Sequence, residues 1–263
     1  MKNNSVVNED YIMENEESEV HNLLAGYKDE EGVIHTEFEI REMTGVEEEV
    51  ISKPEIKSNG GKVINTLLER CCTRIGSYTR KEVGNIKWKN IIQNLISGDQ
   101  DYILLQIRKQ SIGEELELTH QCPNPECKAK LETKVALDEL EIVHFKGDYE
   151  IHFELPKGYK DRQGNIHRSG VLHLPKGLDR EILDPMARKN LGQANTLMLT
   201  RCIKSLGTIQ VTNEIMRKLS IKDRDYLFTL LKDNMCGVQP KVKVECVSCL
   251  TEFEGSLNAT NFI

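Results

Sequence analysis

Hydrophobic and polar positions alternate in short runs, separated by stretches with helical spacing. Ile34, Thr36, Phe38 and Ile40 alternate with polar residues and predict a strand over 33–41. Thr44 follows as the N-cap of a short acidic helix through Glu47, Glu48 and Glu49, whose charges suit the first turn. After a loop at Pro54, Val63, Ile64, Leu67 and Leu68 line one side of a helix predicted over 61–75. A second helix covers 87–96, and Asp99 opens a third that runs through Tyr102 and Ile107 to Gly113.

Leu116, Leu118 and His120 then alternate into a tight turn, Cys122-Pro123-Asn124-Pro125-Glu126-Cys127, and Leu131, Thr133 and Val135 lead out of it. Strands are expected at 141–145 and 149–155, and a polar loop from Lys157 to Gly170. A strand at 171–174 comes next, then helices over 179–186, 193–206 and 212–219 and one that starts at Asp223. Val242 and Val244 lead into a second turn, Cys246-Val247-Ser248-Cys249, and Phe253 leads out.

The order of elements therefore repeats. Cys122 and Cys246 are 124 positions apart, as are Asp99 and Asp223, Asp101 and Asp225, and Tyr102 and Tyr226. Upstream the offset grows: Asn65-Thr66-Leu67 matches Asn195-Thr196-Leu197 at 130, Arg70-Cys71 matches Arg201-Cys202 at 131, and Gly45 matches Gly177 at 132. This pattern predicts an internal duplication about a pseudo-twofold axis. The expected fold is α+β, with each half a helical group plus a cysteine hairpin. The expected division is an acidic tail at 1–32, a first half at 33–147 and a second at 148–263.

Two cysteines with four residues between them, and two with two, are halves of a tetrahedral zinc site. Cys122, Cys127, Cys246 and Cys249 are the expected ligands of one structural Zn2+ shared by the halves. Four thiolates leave no open coordination position, so such a site holds structure and does no catalysis. His120 is a candidate substitute ligand, although its spacing suggests the other face of the strand. Cys71, Cys72, Cys202 and Cys236 fall on helices or helix ends and read as small buried hydrophobes.

Charge changes the picture at one end. Residues 1–60 hold 16 Asp or Glu against 5 Lys or Arg, a net −11 within a chain of −7. The first 30 or so residues read as a solvated arm suited to a basic partner. No apolar run has the length of a membrane span and no signal-peptide stretch opens the chain, so the expected setting is a reducing cytoplasm, where paired cysteines bind metal.

Other chemistry finds little support. Asp99, Asp101, Asp223 and Asp225 sit where helix capping explains them, with Tyr102 and Tyr226 packed between helices. Glu150, His152 and Glu154 fit a solvated sheet face. Gly60-Gly61-Lys62-Val63 lacks the upstream Gly and the Ser or Thr of a phosphate loop. With no catalytic motif, the expectation is no enzyme and no small-molecule substrate. Arg80-Lys81, Lys87-Trp88-Lys89 and Lys241-Val242-Lys243 raise the alternative of a zinc-ribbon nucleic-acid binder; the acidic pI of about 5.6 and the lack of a basic stripe weigh against it.

The run Leu174-Pro175-Lys176-Gly177-Leu178-Asp179-Arg180-Glu181, with Ala187-Arg188-Lys189-Asn190, Ala194-Asn195-Thr196-Leu197, Thr200-Arg201-Cys202-Ile203, Asp223-Arg224-Asp225-Tyr226-Leu227 and the final Cys-x-x-Cys, resembles the T-even-type bacteriophage baseplate hub assembly proteins of contractile tails and tailocins. The resemblance covers 33–263. It implies a structural or assembly role in the baseplate hub, within the virion or tailocin and in the bacterial cytoplasm during assembly. Partners would be other hub or wedge proteins and tube or spike components; a departing chaperone is the alternative. Relatives carry two-residue spacers in both cysteine pairs, and the longer first turn departs from that.

Overall fold

A computed structural model describes residues 19–239 and 241–257. The fold is mixed α and β, with several small sheets and three apolar cores. Strand β1 (Val20–Lys28) pairs antiparallel with β2 (Ile34–Ile40). Helices α1 (Gly45–Ile51), α2 (Pro54–Lys57) and α3 (Gly60–Cys71) follow, and β3 (Cys72–Ile75) and β4 (Tyr78–Thr79) complete a sheet in the order β1-β2-β3-β4. Helices α4 (Arg80–Asn94, kinked at Gly84, φ +77°) and α5 (Ser97–Ile112) close the first core around Trp88, Phe38 and Leu67.

The first cysteine hairpin is β5 (Glu115–Gln121) and β6 (Lys130–Ala136), followed by a 3-10 turn at Leu137–Glu139 and the short β7 (Ile142–Val143). Strands β8 (Ile151–Lys160) and β9 (Ile166–Leu172), helices α6 (Gly177–Lys189) and α7 (Leu191–Cys202), and β10 (Ile203–Leu206) form the next unit, with sheet order β10-β9-β8. Helices α8 (Asn213–Lys218) and α9 (Ile221–Asn234) cover its core around Leu199, Leu206 and Met216. Strand β11 (Gly237–Val238) pairs with β7, and the second cysteine hairpin is β12 (Lys241–Glu245) with β13 (Glu252–Ser256).

Several expectations change. Val20–Lys28 form β1, so the acidic tail does not extend to 32; Leu23 is buried in the first core, which outweighs the nearby charges. The part of the tail over 1–18 lies outside the described residues. The helices expected over 61–75 and 193–206 stop at Cys71 and Cys202, and the apolar residues beyond them pair as β3 and β10. The loop expected over 157–170 is a hairpin, with β8 running to Lys160 and β9 starting at Ile166. Its polar, Gly-containing sequence turns only Tyr159 and His167 toward the interior, too few apolar positions to announce a strand.

The expected capping role fails for α5, whose N-cap is Ile96 with no side-chain cap hydrogen bond, and in α9 the cap is Ser220; the aspartates at these helix starts reach elsewhere. Strand β1 bulges between Asn22 and Tyr27, and the freed N–H groups of Leu24, Ala25 and Gly26 donate to the Asp99 carboxylate at 2.6, 3.0 and 3.1 Å. Strand β8 bulges between Glu154 and Tyr159, where Lys157 and Gly158 N–H donate to Asp223 at 2.7 and 3.4 Å. A bulge leaves ladder groups unpaired, and a buried carboxylate one helix away satisfies them. Burial pushes the Asp99 carboxyl up to about 6 against the pull of its three donors. Asp101 instead pairs with Arg180 through two hydrogen bonds of 2.6 and 2.8 Å.

The helical groups meet where α3 crosses α6. A Cβ on Gly61 would stand 2.5 Å from the backbone N of Glu181, so only glycine allows this approach. Asn65 Nδ2 donates to Gly177 O and to Glu181 Oε2, Gln100 Nε2 donates to Asn65 Oδ1, and Gly177 N donates to Leu95 O. Gly60-Gly61-Lys62 is thus a helix-packing start capped by Asn59, with Gly60 N donating to Asp184.

Candidate metal centre

Both hairpins hold their thiols with the same local device. In the first turn Asn124 organises the chain: its side chain accepts from Glu126 N, and its carbonyl accepts from Cys127 N and Lys128 N. In the second, Leu250 N donates to Cys246 O at 2.7 Å. The residue after the second cysteine of each pair, Lys128 (φ +50°) or Leu250 (φ +58°), is left-handed. That conformation is uncommon for side chains with a Cβ and turns each strand back on itself. Cys122 N then donates to Ala129 O and Cys246 N to Thr251 O, closing each loop.

The hairpins pack face to face over a third apolar core that includes Leu105, Leu116, Leu118, Leu131, Val242 and Val244. This brings the four thiols together. Cys122 Sγ lies 3.6 Å from Cys249 Sγ, and Cys127 Sγ lies 3.7 Å from Cys246 Sγ; all four sulfurs are within 4.8 Å of one another. A tetrahedron of sulfurs at about 2.3 Å from a central zinc has edges of about 3.8 Å. Both of these contacts run between hairpins, and the cluster is compatible with an S4 site. Among the described residues it is the sole grouping of three or more His, Cys, Asp or Glu arranged to hold a metal.

Cys122 and Cys246 are buried, while Cys127 and Cys249 are partly open. The Thr251 hydroxyl lies 3.1 Å from Cys249 Sγ and, with its backbone N–H, draws that thiol down to about 6. Burial pushes Cys122 up to about 12. One thiolate is thus favoured from the start, and a thiophilic cation would supply what the others need to ionise. Thr251 was not singled out by sequence reasoning; its place two residues after a cysteine of the turn is the signal that could have found it.

His120 stands on the inner face of β5, contrary to its expected position. Its ring packs edge-to-face on Phe253, with centroids 6.2 Å apart, and against Gly255. It lies outside the thiol cluster and serves as packing between the hairpins. Cys71, Cys202 and Cys236 are buried with thiols pushed up to about 12 by burial, and Cys72 is raised likewise, as suits inert core residues. His152 and Glu154 are exposed along β8, and Glu150 pairs with Lys204. No helix among the described residues is long and apolar enough to cross a membrane.

A family model described as T4 bacteriophage base plate protein matches residues 27–208, more than half of the chain. The chain belongs to this base plate family. The match takes in β2 to β10 and with them the α3–α6 crossing, while most of β1 and the second cysteine hairpin lie outside it. No curated protein matches the chain significantly, and no solved structure does.

Proposed function

We propose that this member of the base plate family is a non-enzymatic subunit or assembly factor of the baseplate hub in a contractile phage tail or tail-like particle. The family match carries this reading. The protein acts by docking onto other hub or wedge proteins and tube or spike components, and a rigid body sets the spacing of its docking surfaces. Cys122, Cys127, Cys246 and Cys249 hold one structural zinc that joins the two hairpins, a reading supported by their spacing and all-sulfur donor set.

The body is built of two related halves, over 33–147 and 148–263, the first also taking in β1. Supporting this, α3 and α7 both have twelve residues, an Asn N-cap (Asn59, Asn190) and a final cysteine. That register is 131 throughout, so Asn65 corresponds to Thr196 and not to Asn195. His35 pairs with Asp29 and His167 with Asp161; Gly76 packs on the first ring and Gly207 on the second.

Mass spectrometry of purified intact particles tests the role. A fixed low copy number relative to tube and sheath proteins marks a permanent hub subunit. Absence from particles whose assembly requires the protein marks a departing chaperone. Normal baseplates assembled without it would sink both forms of the reading.

A further inference from the structure

The α3–α6 crossing joins a surface of the first half to a different surface of the second. A contact between unlike faces leaves one copy of each face unused, because every half carries both. The unused pair can be located residue by residue, on the repeat relation proposed above.

Glu47 in α1 pairs with Arg70, and Asp179 in α6 pairs with Arg201, so Gly45 corresponds to Gly177 and Glu49 to Glu181. The common Asn caps of α3 and α7 set Gly61 against Gly192. Helices α4 and α8 end on Leu95 and Leu219 with the same backbone angles, φ −58° and ψ 142°, so Gln93 corresponds to Arg217.

In the closed crossing Gly61 and Gly177 are tightly covered; their counterparts are open. No atom lies within 4 Å of a Cβ built on Gly45, and Gly192 meets one side-chain oxygen of Asn190 at 3.3 Å. Large apolar side chains stand exposed on the same elements and on α9: Val46 at 55% on α1, Leu191 at 64% on α7 and Ile221 at 80% on α9.

Charge has changed in a complementary way. Gln93 Nε2 donates to Glu181 Oε2 at 3.0 Å in the closed crossing, and the corresponding residues are Arg217 and Glu49, an opposite-charge pair. Glu48 and Asp225 stand in place of Arg180 and Asp101, so two carboxylates replace that ion pair and oppose the attraction at this one position. Arg217 and Lys222 are exposed cations on α8 and α9, and Glu48 and Glu49 are exposed anions on α1, so the two faces differ in sign; Lys218 is paired with Glu214 on its own helix.

We propose that a second copy of this chain docks head to tail, placing its α1 face (Gly45, Val46, Glu49) on the α7–α9 corner (Gly192, Arg217, Ile221) of the first. The contact reproduces between molecules the crossing that α3 and α6 make within one.

Sedimentation velocity of the full chain over a concentration series tests this, with Gly45→Trp and Gly192→Trp as blocking variants; Gly45 is open in the isolated fold, and at Gly192 only the Asn190 side chain must give by a few tenths of an ångström. The wild type should associate with rising concentration. Each variant alone should be monomeric, since each keeps one working face. An equimolar mixture should form a dimer that grows no further, because the remaining faces are blocked. A twofold dimer through a single patch would leave one variant self-associating, and mixing would rescue nothing; that outcome overturns the proposal. A wild type that stays monomeric at every concentration also overturns it, yet leaves the repeat, the metal and the baseplate role to their own tests. Circular dichroism matching the wild type confirms that the variants fold.

Discussion

Asp99 holds the bulge at Gly26: one carboxylate on α5 accepts three consecutive backbone N–H groups of β1, 73 to 75 residues away in sequence. No helix-capping role would need that reach. The relation fixes how the first sheet sits on its helices, and Asp223 makes the similar contact to β8.

Replacing Asp99 by Ala strands these three N–H groups beneath a fully buried position. Each buried unsatisfied group costs about 1–3 kcal/mol, so the variant should lose about 3 kcal/mol or more in urea unfolding. Asp99→Asn keeps one acceptor oxygen and should lose less. Equal and negligible losses would show that water reaches the bulge.

Glycines at matching places in α3 and α7 should respond differently. Gly61→Ala drives a Cβ into the α6 backbone at 2.5 Å, where no rotamer can yield, and should cost about 1–3 kcal/mol. Gly192→Ala meets only the Asn190 side-chain oxygen, at 3.3 Å, which can shift by a few tenths of an ångström, so that contact offsets the helix gain of about 0.5–1 kcal/mol and the change should be close to neutral. Thermal melts of the two variants decide the matter.

Metal removal should loosen the hairpins first. With a chelator at neutral pH, amide exchange should accelerate across β5–β6 and β12–β13 while α3, α5 and α7 stay protected, because each helical group has its own core. Metal analysis of the untreated chain should give one zinc per molecule. Cys246→Ser should reduce that content and lower the melting temperature. Uniform exchange in both states would mean that the ion contributes nothing to holding the hairpins together.

Acid should weaken the packing of α1 on α3 through Glu47. Burial opposes its charge, but Arg41 and Thr44 more than compensate and bring its pKa down to about 2. A carboxylate with a depressed folded pKa contributes stability above its unfolded pKa of about 4.5 and loses it as pH falls toward 2. Allowing for solvent around the part-exposed Arg41, the contribution is about 2 kcal/mol. The wild type should lose this between pH 4.5 and 2, and Glu47→Gln, weaker at neutral pH, should show a shallower fall.

What the sequence disclosed depended on whether the signal was local. The Thr44 cap with Glu47, the alternation around Phe38 and the cysteine turns are all written within a few residues, and the structure has them in place. The meeting of the four thiols was legible because half a coordination sphere implies its other half. The bulges at Gly26 and Gly158 were not, since their partners lie on distant helices, and nothing near Asp99 or Asp223 distinguishes a bulge acceptor from a cap. Helix ends at Cys71 and Cys202 were overrun because the β3 and β10 residues continue an apolar run, and only sheet pairing stops the helix there.

Cys122 and Cys249 are 127 positions apart yet their sulfurs nearly touch. An ion held there would close a ring through nearly half of the polypeptide, and ring closure of about 100 residues removes about 4–5 kcal/mol of disorder from the unfolded chain. Such a closure needs both hairpins aligned with each other. Neither hairpin alone offers more than two sulfurs, so a fragment or a chain with one half misfolded would bind the ion weakly. Metal content would then serve as a tally of completely folded molecules.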